Sequence, residues 1–580
     1  MEIVQNTLKP FTTTTVIQGR VIALDGDNLD VETAAGRVLL QRNSSTHSTQ
    51  LIGIDAQGFQ FKDLQWSEIQ GHHCICRIIA YSLPATVPPR RHTLFSLVSF
   101  GPDANHLLGD PDFHSHSAAW LGRFWLPTLD AEVGGVYANI LNGGVQVPGP
   151  ERDEKWSYIT SRSVAGFSFA FQLTGELEFL HAATHAMNFL KRSTDDIEGH
   201  LFFRPRQLRD GALHPAACSL LNIFVHEYAL TGPLRYLAAT ADTSASHLID
   251  RGLESLMLFH DSGDGGFFDA LERETLRPII GVTSTKSFTS SADLLAAAII
   301  FAKEVDCSTS SFDPRSVAVE LCQIIVRRHL VEGRPFIIES LNSDWTPNSS
   351  QWRNEYATVD IAGNCGATAK VARVLAVCLH LLPPTLRAEV RECVQNILEG
   401  LLAAGAWDAL RGGVYDVMLR DCPSGQMGEF VYHGDFVWWT QEQLCVAAYL
   451  GFLLFGDRRY LEVARSILRF WICCFMARGG GVHDTVDHVG NPVSTQMGRW
   501  VKNSYHELEF AYFASIFEAV INDRPITLYF APGHSGPYTS ALVDIGIVRW
   551  EVLDRQRLPN GIIAVTFKSI PMENNILSPS

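Results

Sequence analysis

Few side chains in this sequence of 580 residues stand where chemistry is expected. His506 precedes the apolar run LEFAYFASIF. Neutral imidazole titrates near neutral pH and can take and return a proton, although a histidine on an apolar helix is more often satisfied within the core. Arg162 lies inside another apolar segment, where a guanidinium needs a partner or a wet cavity. Asp360, Asp435 and Glu442 each open or sit in a predicted helix, as N-caps or as acids. His433, in TyrHisGlyAsp, precedes a predicted inner helix and is a candidate base or a solvated loop residue. Trp125, Trp438, Trp439 and Tyr505 belong to a dense aromatic set, read as ring packing or as walls that stack on a sugar or enclose a hydrophobic intermediate.

Other chemistries find no support. No GxGxxG, P-loop, HExxH or GxSxG pattern occurs, so no cofactor is expected. Cys74 and Cys76 have no CxxC partner, and no metal site is expected. The cysteines, 12 in all, read as reduced core residues. AspGlyAspAsnLeuAsp (25–30) resembles part of a calcium loop but lacks its downstream Glu and reads as a hairpin turn. The net charge of −16 argues against nucleic acid or an anionic membrane as partner. A small-molecule substrate fits better, with a homodimer left open. The start MEIVQNTLKPF has no basic segment followed by an apolar run, so a cytoplasmic protein is expected.

The elements that must position these residues fall into three units. Residues 1–104 alternate in the manner of a small β barrel or sandwich, with the Pro-rich stretch Pro84 to Arg91 and the Gly101 to Asp112 region read as linker. Residues 105–524 carry helical periodicity and internal repetition. TGELEFL (174–180), TGPLRYL (231–237) and FGDRRYL (455–461) share one plan, an apolar helix closed by a left-handed Gly and followed by a second helix. GGVYANI, GGFFDAL, GGVYDVM and GGVHDTV, from 134, 265, 412 and 480, repeat a Gly-Gly turn into a short strand. Hairpins are expected near 156–193, 215–260, 286–330, 360–403 and 436–475, and helices near 113–126 and 502–522 pair to close a ring of six. The predicted fold is therefore mainly α, an (α/α)6 toroid. Residues 525–580 read as β segments packing near the N-terminal domain.

FWLPTLDAEVGGVYANILNGG, WSYITSRSVAGFSFAFQLTGELEFLHAATHAMNFL, WWTQEQLCVAAYLGFLLFGDRRYLEVA and VKNSYHELEFAYF together resemble the N-acylglucosamine 2-epimerase and cellobiose 2-epimerase superfamily over roughly 120–522. The resemblance implies an (α/α)6 barrel whose cleft moves a proton beside a sugar carbonyl with two histidines and a sugar-holding Arg. It places Arg162, Lys502, Tyr505 and His506 on family positions. Ser219 and Asn364 then stand for histidines, and Ala367 and Gln443 for glutamates, with Glu442 one step round the helix. The centre is altered, so a two-base epimerase is not expected. The leading expectation is a cofactor-independent isomerase or epimerase-like enzyme, with His506 as acid/base and Arg162, Lys502, Tyr505, Asn364 and the tryptophans on the substrate. Alternatives are a cyclase of specialised metabolism, a glycoside hydrolase or lyase, and a non-catalytic carbohydrate binder.

Overall fold

A computed structural model describes residues 12–34, 36–42, 48–55, 58–81, 92–103, 107–144, 146, 154–304, 313–330, 336–348, 361–419 and 435–570. The linker expected at Pro84 to Arg91 lies outside them.

The N-terminal strands are β1 (Thr12–Asp25), β2 (Asn28–Thr33), β3 (Gly36–Arg42), β4 (Ser48–Asp55), β5 (Gly58–Asp63), β6 (His73–Tyr81) and β7 (His92–Ser99). They form one sheet in the order β3-β2-β1-β6-β7-β4-β5, and β3 also pairs in parallel with β7, which bends the sheet back on itself. Asp25 pairs with Asn28 across a turn at Gly26, whose φ of 57° suits glycine, so residues 25–30 form a hairpin turn. Alternate apolar residues such as Ile17, Val21, Val31 and Leu97 fill one face. Cys74 and Cys76 lie buried in that face. Gln18 ties the sheet to the helices, its backbone N–H donating to Leu410 O and its side chain to Ser466 O.

Twelve helices follow among the described residues: α1 (Pro111–Trp125), α2 (Ser157–Thr174), α3 (Leu177–Leu190), α4 (Ile223–Thr240), α5 (Thr243–Leu256), α6 (Leu294–Glu304), α7 (Pro314–Ile324), α8 (Cys365–Cys378), α9 (Pro384–Ala403), α10 (Trp438–Phe455), α11 (Arg458–Phe470) and α12 (Ser504–Ile521). The even-numbered helices are inner ones, apolar nearly all round as burial on every side requires. Each packs on the next, and α12 packs on α2. Each of the first five is joined to an outer helix that follows it, and α1 backs α12.

The connecting turns explain this register. Gly175 and Gly456 close α2 and α10 in the left-handed conformation, as expected. Thr231-Gly232 departs from the plan. Helix α4 runs through it to a left-handed Ala241. Gly232 serves close approach instead: a Cβ there would stand 2.3 Å from Ser161 O, and its N–H donates to Ser161 Oγ at 2.8 Å. The Gly-Gly repeats lead into short strands and do a second job. The carbonyls of Asp269, Asp416 and Asp484 accept from the first N–H of α4, α8 and α10, at Ile223, Cys365 and Trp438. These bonds satisfy donors that every helix start leaves open.

The tail forms a separate sheet of β8 (Ile526–Phe530), β9 (Arg549–Arg557) and β10 (Ile563–Ile570), with β10 central. It sits at the C-terminal ends of inner helices. Tyr529 abuts Gly175, and Ala531 N–H donates to Ala239 O. No strand pairing joins it to the N-terminal sheet among the described residues. No described helix is long and apolar enough to cross a membrane.

Candidate functional site

The N-terminal ends of the inner helices surround a cavity of about 470 Å³. Arg162 from α2, Tyr228 from α4, Lys370 from α8, Trp438 and Trp439 from α10 and His506 from α12 all line it. Thirteen residues ahead of the left-handed turn residue stand Arg162 in α2, Tyr228 in α4 and Gln443 in α10. The hairpin repeat thus fixes which residue of each helix lies at this level. Ser219, which the resemblance places on a family histidine by counting 13 residues back from Gly232, lies outside the helix altogether, and Tyr228 takes its place once α4 is counted from Ala241.

His506 anchors the centre. Its Nδ1 lies 2.6 Å from Glu442 Oε2 and 3.4 Å from Glu509 Oε2. Nε2 is the ring nitrogen left for a ligand. Burial pulls the imidazole down to about 4, against the opposing pull of Glu509, so it is neutral at pH 7. Arg373 bridges the two carboxyls, donating to Glu442 Oε1 at 3.1 Å and Glu509 Oε1 at 2.8 Å. Burial and the neighbouring Glu509 push Glu442 well up. Against the cost of its own burial, Arg373 holds Glu509 well below the usual carboxylate range. Tyr505 donates to Glu509 Oε1 at 3.0 Å. Tyr505, expected on the substrate, therefore belongs to this network and does not line the cleft.

Lys370 forms the facing half. It pairs with Asp293 and donates to Tyr228 Oη at 2.7 Å. Burial pulls its ammonium down to about 7, helped by the positive charges of Arg162 and Arg373 and resisted by Glu509. Arg162 lies 3.7 Å over the Tyr228 ring and donates to Val501 O at 3.0 Å. Its partner is thus an aromatic face and a carbonyl rather than a carboxylate.

The other expected site residues divide. Trp438 and Trp439 line the cavity with ring centroids 6.4 and 6.5 Å from that of His506. Asn364 lines it too, but its Oδ1 caps α8 by accepting from Ala367 N–H at 2.8 Å. Lys502 and Trp125, expected on the substrate, lie behind the wall instead. Lys502 is 0% exposed, pairs with Glu507 at 2.5 Å and donates to Met497 O, while Trp125 Nε1 donates to Glu507 Oε2. A buried ammonium needs these partners and has no charge left to offer a ligand. Asp435 precedes the short strand Phe436–Val437, and the helix cap is Val437. Asp360 and His433 lie outside the described residues.

Sequence reasoning missed Lys370, Arg373, Glu509, Asp293, Asp416 and Asp484. Two cations three residues apart share one face of the apolar helix CGATAKVARVLAVC, which is a readable signal. Asp416 and Asp484 carry another, because each is the fifth residue of its Gly-Gly repeat. Asp416 accepts from Thr440 Oγ1 at 2.8 Å, and Asp484 from Arg499 Nε at 3.1 Å. With Asp293 on Lys370, these three cleft carboxyls are all engaged. The charged lining also removes the cyclase expectation, which needs a closed apolar pocket.

Glu442, His506 and Glu509 bring possible metal-ligand atoms within 4.8 Å of one another. Arg373 already supplies the positive charge between the two carboxyls, so a cation would have to displace a guanidinium. The donor set fits an ion-pair network better than a metal centre.

The ring of helix pairs and its charged cleft define the class of architecture. No protein-family model and no curated protein matches the sequence. Solved structures share the fold. The chain is similar to the cellobiose 2-epimerase of Spirochaeta thermophila, with 21% identity and a TM-score of 0.58 over 70% of this chain and 97% of that one. The cellobiose 2-epimerase of Bacillus thermoamylovorans gives 15% and 0.56 over 69% and 96%, and a D-mannose isomerase gives 15% and 0.58 over 70% and 98%. The likeness seen in the sequence is therefore present in the fold.

Proposed function

We propose that the protein is a carbohydrate-processing enzyme that moves a proton beside a sugar carbonyl, an aldose-ketose isomerase working without a cofactor. The observation that carries this reading is that two proton-transfer groups, His506 and Lys370, line one cavity. Its volume suits a small-molecule site, for which about 300–1,000 Å³ is usual.

The chemistry follows from the side chains. Neutral His506, oriented by Glu442, takes a proton from the carbon next to the carbonyl through Nε2. Lys370, titrating near 7, protonates the carbonyl oxygen, which matches the preference for catalytic groups with pKa near the working pH. Arg162 stabilises the enediolate. His506 then returns the proton to the neighbouring carbon on the same face. Asn364 cannot accept a proton on the opposite face, which favours isomerisation over epimerisation. Trp438 and Trp439 offer stacking surfaces for the sugar ring.

The test is deuterium exchange at the carbon beside the carbonyl, followed by NMR in D2O across a panel of aldoses, ketoses and reducing disaccharides. Exchange that falls by about 10²-fold to 10⁴-fold in His506→Ala is expected. No exchange with any sugar, or undiminished exchange in that variant, overturns the reading.

A further inference from the structure

Beneath the cleft lies a second cavity of about 50 Å³. It shares Tyr228, Asp293, Lys370 and His506 with the cleft above. A buried water needs about 10–15 Å³ of such space, so the chamber holds a few waters and no sugar. Glu227 lines this chamber and not the cleft. It is 2% exposed, and neither of its carboxyl oxygens has a hydrogen-bond partner. An ionised carboxylate so placed is strongly disfavoured, and a bare neutral one still lacks the bonds that buried polar groups ordinarily make.

We infer that Glu227 is a protonated carboxylic acid bonded to water in the inner chamber, and that it exchanges its proton through that water with Lys370. The geometry supplies both ends of the path. Lys370 reaches both cavities, and its ammonium bonds the hydroxyl of Tyr228, the residue after Glu227. The surroundings agree on the charge state. Burial pushes the Glu227 carboxyl well up, and Asp269 adds to that, while Lys370 and Arg162 oppose it. Arg373 in the chamber wall is held by Glu442 and Glu509, and Lys370 by Asp293. Arg235 and Tyr505 complete the polar wall.

When Lys370 gives a proton up at the cleft, Glu227 donates its own to a chamber water, which passes one on to the Lys370 amine. Glu227 is left as a carboxylate beside a restored ammonium, and the sequence runs backwards when the substrate returns its proton. No heavy atom or electron moves. Glu227 touches no substrate and acts through Lys370. The protonation state stands by itself; only the exchange rests on the proton-transfer reading of the cleft.

Infrared difference spectra of the full-length protein in H2O and D2O at pH 7, without substrate, test the first part. A carbonyl-stretch band of a protonated carboxyl is expected, shifted by deuterium and lost in Glu227→Gln. A spectrum that this substitution leaves unchanged overturns the inference. Should Glu227→Gln not fold, Lys370→Met serves: removing the neighbouring cation should carry the band to higher pH, and an unmoved titration counts against it. On any sugar the enzyme turns over, Glu227→Gln should lower kcat by about 10²-fold with KM unchanged and reshape the alkaline limb of the pH profile. Unchanged kcat overturns the exchange. A failure to find any sugar substrate bears only on the proposed function, because the infrared result needs none.

Discussion

Helices α10 and α12 cross two charged networks, one at each end of the ring. At the lower end Glu518 of α12 accepts from Tyr449 Oη of α10 at 2.7 Å, from both Arg465 Nε and Nη2 at 2.9 and 2.7 Å, and from Asn522 Nδ2 at 3.2 Å. At the upper end the same helices bring Glu442, His506 and Glu509 onto Arg373, with His506 Nε2 unspent and Glu227 unpartnered close by. Both networks are buried. The lower one satisfies its acceptors and lines neither of the two cavities, so its role is to fix the helices. The upper one leaves polar atoms open beside two cavities, at a cost that stability alone does not justify. Satisfaction, rather than charge or burial, separates structural from chemical networks in this ring.

That contrast can be broken from either end. The largest effect is expected from His506→Ala, a fall in sugar hydrogen exchange that reaches about 10⁴-fold, with a Tm above that of Arg465→Ala. Arg465→Ala should cost about 3–5 kcal/mol in urea unfolding, because it leaves Glu518 buried beside lost partners. A cost comparable to that of a surface substitution would remove the structural reading of the lower network. Gly232→Ala should cost about 1–3 kcal/mol by forcing α2 and α4 apart, measured the same way.

Acid should act on both ends unequally. Burial lowers His226 to about 3, and His73, His329, His483 and His506 to about 4. Between there and the free value of about 6.5 the unfolded chain binds more protons, so stability rises with pH in that window. The Tm should be lower at pH 5 than at pH 7, and exchange by His506 should persist until pH falls toward 4. On the alkaline side, activity should decline as pH rises through about 7 with deprotonation of Lys370. The smallest effect is expected from Glu227→Gln on stability. An unchanged or slightly raised Tm is expected, since no direct hydrogen bond is lost.

Much of the architecture was legible because hairpin repetition is a local property. The expected pairs at 156–193 and 436–475 correspond to α2 with α3 and α10 with α11. Gly175 and Gly456 were readable as helix ends because the left-handed conformation that closes a helix is a local property. Gly232 was not, because its reason lies across the interface at Ser161, 71 residues away in the chain. That misreading displaced Tyr228 and Glu227 from view and put Ser219 in their place. Lys502 was misread for a different reason, as its charge is consumed locally by Glu507 and the Met497 carbonyl, which residue spacing alone does not reveal.

The sequence by itself determined the helical repeat, its six-hairpin count, the sheet at each flank and the altered residues at Asn364 and Ala367. Periodicity, turn chemistry and residue identity are carried within short windows of chain, and no long-range contact is needed to read them. The tertiary structure alone decided which charges neutralise one another. Arg373 meets Glu442 and Glu509 from helices separated by 69 and 136 residues, and whether a buried group is spent or free depends on such meetings. His506 could be chosen from the sequence, but Lys370 and Glu227 become candidates only once the ring brings them to the two cavities.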